Sequence, residues 1–229
     1  MRIRIESLPS GARAARGSVV VIDVFRAFTT AAVALSKGAT RILMVGDVDA
    51  ALRLRDAGAG VYCLGERDGR MPPGFDFPNS PAALSRADLA GKSLIQTTSN
   101  GTAGLVAASA AERLYAGALV TAEATANDIL RRQPEEVTLV AMGARGGARA
   151  AEDELCALYL RALLQGRKPD RDAIRDAVLG LVPDPDPALI ASGDYDPADR
   201  DLALAVDRIP FAVPVARRNG RLVATAESL

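Results

Sequence analysis

A chain of 229 residues without a single histidine excludes Ser-His-Asp and Cys-His nucleophile systems, His-ligated zinc and phosphohistidine chemistry, leaving proton transfer and metal binding to carboxylates, Cys, Lys, Tyr or water. Its 28 basic and 28 acidic residues balance, so there is no overall field to draw it to nucleic acid or to an anionic membrane. The length buries a sizeable core without disulfides, and Cys63 and Cys156 read as buried thiols of a cytoplasmic protein.

Met1 to Gly17 carries Arg2, Arg4, Arg13 and Arg16 with no continuous apolar run, so no secretory signal is read there, and no stretch reaches the ~18 apolar residues of a spanning helix. Ser18 to Asp23 is a β-branched run of strand length, followed by helical spacing over Phe25 to Lys37 that Gly38 stops. The same rhythm predicts strands at Arg41 to Val45 and Gly60 to Leu64, with a helix at Val48 to Asp56 N-capped by Asp47. Glu66 to Ser80, with three prolines, then breaks the pattern and reads as a long functional loop. Ser93 to Gln96 is a strand, Gly101 to Ala110 a helix, Arg113 to Ala116 a strand and Ala122 to Arg132 a helix. Val137 to Met142 is a buried strand that ends in a glycine-rich loop before a helix over Ala151 to Leu164.

Beyond Gly166 the sequence turns polar and proline-rich. Helices are expected at Asp170 to Leu179 and Pro197 to Val206 around a loose Pro183 to Asp196 stretch. Phe211 to Arg217 and Arg221 to Ala226 read as a hairpin around Asn219-Gly220, closing a sheet edge or forming a small lobe. The alternation predicts an α/β fold, layered α/β/α, with a mixed, largely parallel sheet and a C-terminal β-hairpin. It reads as one domain over 1–229, with 167–229 either part of it or a smaller C-terminal lobe.

Polar clusters stand where the apolar runs end, as in a sheet that gathers acidic and anion-binding groups along one edge. Asp23 is a metal ligand, a nucleophile toward phosphorus or a helix N-cap, and Arg26 one turn later can pair with it or grip an anion. Glu66 and Arg67 lie between glycines on the long loop, with Asn79 and Ser80 downstream. Thr97, Thr98, Asn100, Gly101 and Thr102 place hydroxyls, an amide and free N–H groups at a helix start, a setting for an anion or for an elaborate cap. Gly143, Gly146 and Gly147 surround Arg145 in a loop that can cradle phosphate but carries no nucleotide fingerprint. Glu152 and Asp153 open the next helix, and Cys156 one turn on reads as a structural thiol or a nucleophile. With carboxylates the main hard ligands, magnesium is the first metal expected.

Five ordered motifs carry a resemblance. Asp-Val-x-Arg-Ala-x-Thr-Thr at 23 to 30, Gly-Glu-Arg-x-Gly at 65 to 69, Gly-Phe-Asp-x-x-Asn-Ser-Pro at 74 to 81, Thr-Thr-x-Asn-Gly-Thr at 97 to 102 and Glu-Asp-x-x-Cys-Ala at 152 to 157 resemble the 2-phosphosulfolactate phosphatase family over about residues 18 to 165. The resemblance implies a magnesium-dependent hydrolase of coenzyme M biosynthesis that converts phosphosulfolactate to sulfolactate and phosphate. Phe28 and Pro78 depart from it, standing where a small residue and a glycine are expected. The catalytic set is then Asp23, Arg26, Glu66 and Arg67. Substrate contacts come from Asn79, Ser80, Thr97, Thr98, Asn100, Gly101, Thr102 and Arg145, and Mg2+ lies on Asp23, Glu66, Glu152 and Asp153. The partner is a small phosphorylated organic acid, with a homo-oligomer left open.

Overall fold

Residue by residue, the computed structural model describes positions 1–228, and the side chain of Arg145 also lies outside the described residues. In chain order the elements are β1 (Arg2–Ser7), α1 (Leu8–Ala14), β2 (Ser18–Ile22), α2 (Ala27–Ser36), β3 (Arg41–Met44), α3 (Val48–Asp56), β4 (Tyr62–Gly65) and β5 (Phe77–Pro78). They continue with α4 (Pro81–Arg86), β6 (Ser93–Thr97), α5 (Gly101–Ala107), β7 (Arg113–Gly117), α6 (Ala122–Arg132), β8 (Glu136–Ala141) and α7 (Ala151–Leu164). The last third contributes α8 (Arg171–Leu181), α9 (Pro187–Ala191), α10 (Ala198–Ala203), β9 (Phe211–Ala212), β10 (Pro214–Arg218), β11 (Arg221–Ala224) and β12 (Glu227–Ser228).

The layered α/β/α architecture with a mixed, mostly parallel sheet is present. β2 shows why: all five residues are buried, and its side chains alternate between two cores, Val19 and Val21 under α2 and α5, Val20 and Ile22 under α6 and α7. Each such fully buried side chain contributes roughly 1.5–3 kcal/mol, so a strand apolar on both faces has no stable place except the middle layer. Cys63 and Cys156 are buried free thiols, as the sequence predicts. Among the described residues no helix is long and apolar enough to cross a membrane.

The main sheet runs β1-β8-β2-β7-β10-β11-β3-β6-β4-β5. The β10–β11 hairpin therefore corrects the expectation of an edge or a separate lobe. It lies in the middle, antiparallel to β7 on one side and to β3 on the other, and joins two parallel halves. Asn219 and Gly220 take the positive φ angles its turn requires, while Leu222, Val223 and Ala224 are buried, which an edge strand with one open flank seldom allows. Two N-terminal elements were not foreseen. Ile3 and Ile5 of β1 alternate with charged residues and face the core, the period-two signature of a half-buried edge strand.

Candidate active site

A cavity of about 200 Å³ opens where parallel strands β2, β4, β6 and β8 end. Four strands lie between β2 and β6 in the sheet, yet the turns that follow them meet, because α5 crosses from the end of β6 to pack on β2 and β7. Gln96 of β6, fully buried, supports this crossing by donating to the Ala27 carbonyl of α2 at 2.8 Å. Gly101 makes the approach possible: a Cβ there would stand 2.7 Å from the Ala27 Cβ and 2.8 Å from Asp23 Oδ2. That close packing is what the glycine supplies here.

Asp23 follows β2 directly. Its Oδ1 accepts the Ala27 N–H at 3.0 Å, capping α2, while the carboxylate also lines the cavity. Burial pushes its pKa up to about 7; the Ala27 N–H pulls it back, the charges of Glu66 and Glu152 raise it further, and the Gly101 N–H lowers it. Glu152, at the start of α7, also lines the cavity, and burial raises its carboxyl. Glu66 clasps the turn after β6: Oε1 accepts the Ser99 N–H at 2.6 Å, and Oε2 accepts the Gly69 N–H at 2.7 Å and the Ser99 hydroxyl at 3.1 Å.

Arg26 lines the cavity with its side chain 6% exposed and its guanidinium paired to Asp199 at 2.7 Å. Asn100 lines it too, its amide donating to the Gly143 carbonyl at 3.0 Å and so tying the β6 turn to the glycine loop. Asn79 is 4% exposed on the cavity wall, and its buried Oδ1 has no hydrogen-bond partner among the described residues.

Other residues from the sequence reading stand behind the wall. Asp153 is buried and gives both carboxylate oxygens to backbone N–H groups, Val24 at 2.8 Å and Gly143 at 2.9 Å, stapling the β2 and β8 loops together. Arg67 donates to the carbonyls of Glu66 and Gly46 and to Thr97 Oγ1, bracing the loop rather than facing the cavity. Thr98 and Thr102 bond each other reciprocally: Thr102 Oγ1 accepts the Thr98 N–H at 2.8 Å and Thr98 Oγ1 accepts the Thr102 N–H at 3.1 Å. Ser80 caps α4 by accepting the Ala83 N–H, and its hydroxyl donates to Asp199. The Arg145 side chain, read from sequence as an anion contact, lies outside the described residues.

Two wall residues escaped the sequence reading, Leu189 and Tyr195, both from the polar stretch after α8, while Ser99 lines the wall from within the Thr97 to Thr102 cluster. The only local hint was an aromatic residue among acids at Gly193 to Asp196, more than a solvated loop needs. Ser99→Ala removes one hydroxyl bond to Glu66 and the acceptor of the Asp68 N–H at 3.2 Å. The expected loss is about 1 kcal/mol in denaturant unfolding and a few-fold in turnover, because the Ser99 N–H still holds Glu66. An unchanged midpoint and rate would show that Glu66 needs no such clasp.

Electrostatically the wall is acidic. Among the described side chains lining it, Asp23, Glu66 and Glu152 face one guanidinium that Asp199 already neutralises. No three carboxylate or thiol groups among the described residues stand close enough to enclose a metal ion by themselves.

The family model for 2-phosphosulpholactate phosphatase matches residues 4–182. A probable 2-phosphosulfolactate phosphatase of Deinococcus radiodurans is 37% identical over 199 residues, covering 84% of this chain and 81% of its own. Proteins of the same description from Prochlorococcus marinus and Thermus thermophilus are 35% and 34% identical, covering 95% of this chain and 96% and 92% of theirs.

Proposed function

The chain belongs to the 2-phosphosulfolactate phosphatase family, and on that premise we propose that it hydrolyses 2-phosphosulfolactate to sulfolactate and phosphate with magnesium at the cavity described above. Phosphatase action on a small phosphorylated acid is the family-level activity. The observation that carries the finer reading is a buried carboxylate, Asp23, with its pKa near neutrality, sharing a cavity of about 200 Å³ with the guanidinium of Arg26.

An ester bearing phosphate, carboxylate and sulfonate cannot enter a wall of three carboxylates and one neutralised guanidinium without added positive charge. The donors suit magnesium, which keeps several waters and is held by one or two carboxylates together with substrate phosphate oxygens, so a closed protein cage is not required. Asp23 and Glu152 would hold it, and Asn79 Oδ1, without a partner among the described residues, adds a neutral oxygen on the same wall. When bound, the ion neutralises the phosphoryl oxygens and lowers the pKa of a coordinated water.

Asp23 is assigned to the ion, which would keep its carboxylate ionised in place of the near-neutral pKa of the metal-free site. Arg26 is assigned an anionic group of the ester. Glu66, with each oxygen already accepting a backbone N–H, holds the Ser99 turn in place.

Phosphate release from phosphosulfolactate, assayed with magnesium and with chelator, tests the reading. Release with magnesium that falls at least about tenfold on chelation is the expected result. No release from this or any other small phosphorylated acid would remove the phosphatase assignment.

A further inference from the structure

Arg26 is held from three sides by a segment the site motifs do not include. Its Nη1 donates to Asp199 Oδ2 at 2.7 Å and to the Asp194 carbonyl at 2.9 Å, and the Tyr195 ring lies over the guanidinium, 4.4 Å from its carbon to the ring centre. Both Nη1 hydrogens are thereby used. The remaining N–H groups, on Nε and Nη2, make no hydrogen bond to the protein among the described residues, and the side chain lines the cavity. Nε and Nη2 form the side-on fork of a guanidinium, which matches two oxygens of one carboxylate, sulfonate or phosphoryl group.

Asp199 is itself immobilised. It is fully buried, its Oδ1 accepts the Ser80 hydroxyl at 2.6 Å and the Ala82 N–H at 2.9 Å, and Oδ2 also accepts the Asp196 N–H at 3.2 Å. The segment around it is pinned to the opposite wall, with Asp194 accepting the Met71 N–H at 2.8 Å and Asp196 bonded by Arg86 at 2.8 Å. A buried charge with four donors has one geometry, so the guanidinium it holds has one orientation.

We propose that Asp199 is a positioning residue for this site, turning Arg26 so that only its Nε–Nη2 edge is offered to an anionic group of the substrate, with Tyr195 stacked on the guanidinium face. The proposal rests on the phosphatase reading for its kinetic arm alone; its binding arm needs only that the cavity takes the anion.

The test is chemical rescue. Arg26→Ala should lose phosphate release from phosphosulfolactate and regain at least about tenfold with added methylguanidinium, because Asp199 and Tyr195 still form a receptor for it. Arg26→Ala with Asp199→Asn should regain less than about twofold. A carboxylate that merely stabilised the fold would leave rescue equal in the two backgrounds, and equal rescue, or none in either, overturns the proposal.

Should the asparagine variants fail to fold, Arg26→Ala with Tyr195→Leu leaves the buried carboxylate intact and should raise the half-rescue concentration about fivefold. An unchanged half-rescue concentration overturns the proposal equally. In the binding arm, sulfolactate titrated calorimetrically in the presence of magnesium should bind Asp199→Asn about tenfold more weakly than the parent protein, and equal affinity overturns the proposal. A parent protein that binds sulfolactate but releases no phosphate from the ester would retire the phosphatase reading while leaving the positioning role standing.

Discussion

Asp23→Asn is expected to lose about 10³-fold or more in phosphate release while becoming more stable than the parent protein in metal-free solution above pH 7. The rate falls because the variant has no carboxylate at this position to hold the ion. The stability rises for a linked reason. The carboxyl ionises near pH 7 in the folded chain against 3.8 ordinarily, so the folded state binds the proton more tightly than the unfolded one. Its destabilising contribution is absent below pH 3.8, grows as pH rises to about 7 and stays constant above that.

At about 1.4 kcal/mol per pH unit this amounts to something on the order of 4 kcal/mol, from which the asparagine's lost acceptor toward the Gly101 N–H takes back about 1–2. A net gain of roughly 2–3 kcal/mol, or about 5–10 °C in Tm, should appear at pH 8, vanish near pH 5 and turn into a loss of about 1 kcal/mol near pH 4. The Ala27 N–H keeps its acceptor, so the start of α2 should persist. Thermal scans of chelated protein across this range decide the matter; a variant less stable than the parent at pH 8 would contradict the buried, repelled carboxylate. A site that weakens its own fold until a cation arrives is what functional constraint predicts.

Gly65→Ala is expected to yield no folded protein. Gly65 ends β4 at φ +141° opposite Thr97 of β6, and a Cβ there would stand 1.8 Å from the Thr97 carbonyl oxygen and 2.9 Å from its carbon. Both obstacles are backbone, so no rotamer change relieves them. Separating the strands would also break the next bond in the ladder, from the Glu66 N–H to the Thr97 carbonyl at 3.1 Å. Strand separation together with φ strain of about 1–3 kcal/mol puts the loss above about 4 kcal/mol, a large share of a domain's whole stability. Soluble yield and a circular-dichroism melt check this, and a folded variant melting within about 5 °C of the parent would show that the β4–β6 junction is looser than its geometry.

The layers and most elements were legible because apolar periodicity is local. The helices Val48–Asp56, Ala122–Arg132 and Ala151–Leu164 end where their spacing ends. The cavity was half legible: a polar residue just past an apolar strand marks its place at the sheet's edge, and Asp23, Glu66, Asn100 and Glu152 do line one hollow. Which way such a residue points is decided by partners far along the chain. Asp153 turns inward because Val24 and Gly143 need acceptors, and Thr98 and Thr102 consume each other's hydrogen-bonding capacity. Nothing near residue 199 announces a carboxylate that reaches Ser80 and Arg26, 119 and 173 positions away. The hairpin's central place was equally invisible, since a turn signal fixes the pairing of two strands and says nothing about their outer neighbours.

That central place bears on how the molecule is made. A ribosome delivers β1 to β8 long before β10 and β11, so the nascent chain holds two half-sheets with facing edges and nothing between them. Those open edges invite pairing with other nascent chains until residue 224 clears the exit tunnel, and the joining step pairs residues far apart in sequence, Leu222 of β11 with Met44 of β3 and Val215 of β10 with Leu114 of β7. Completion of the scaffold is therefore a late, non-local event, and the window before it is when chaperones would matter most.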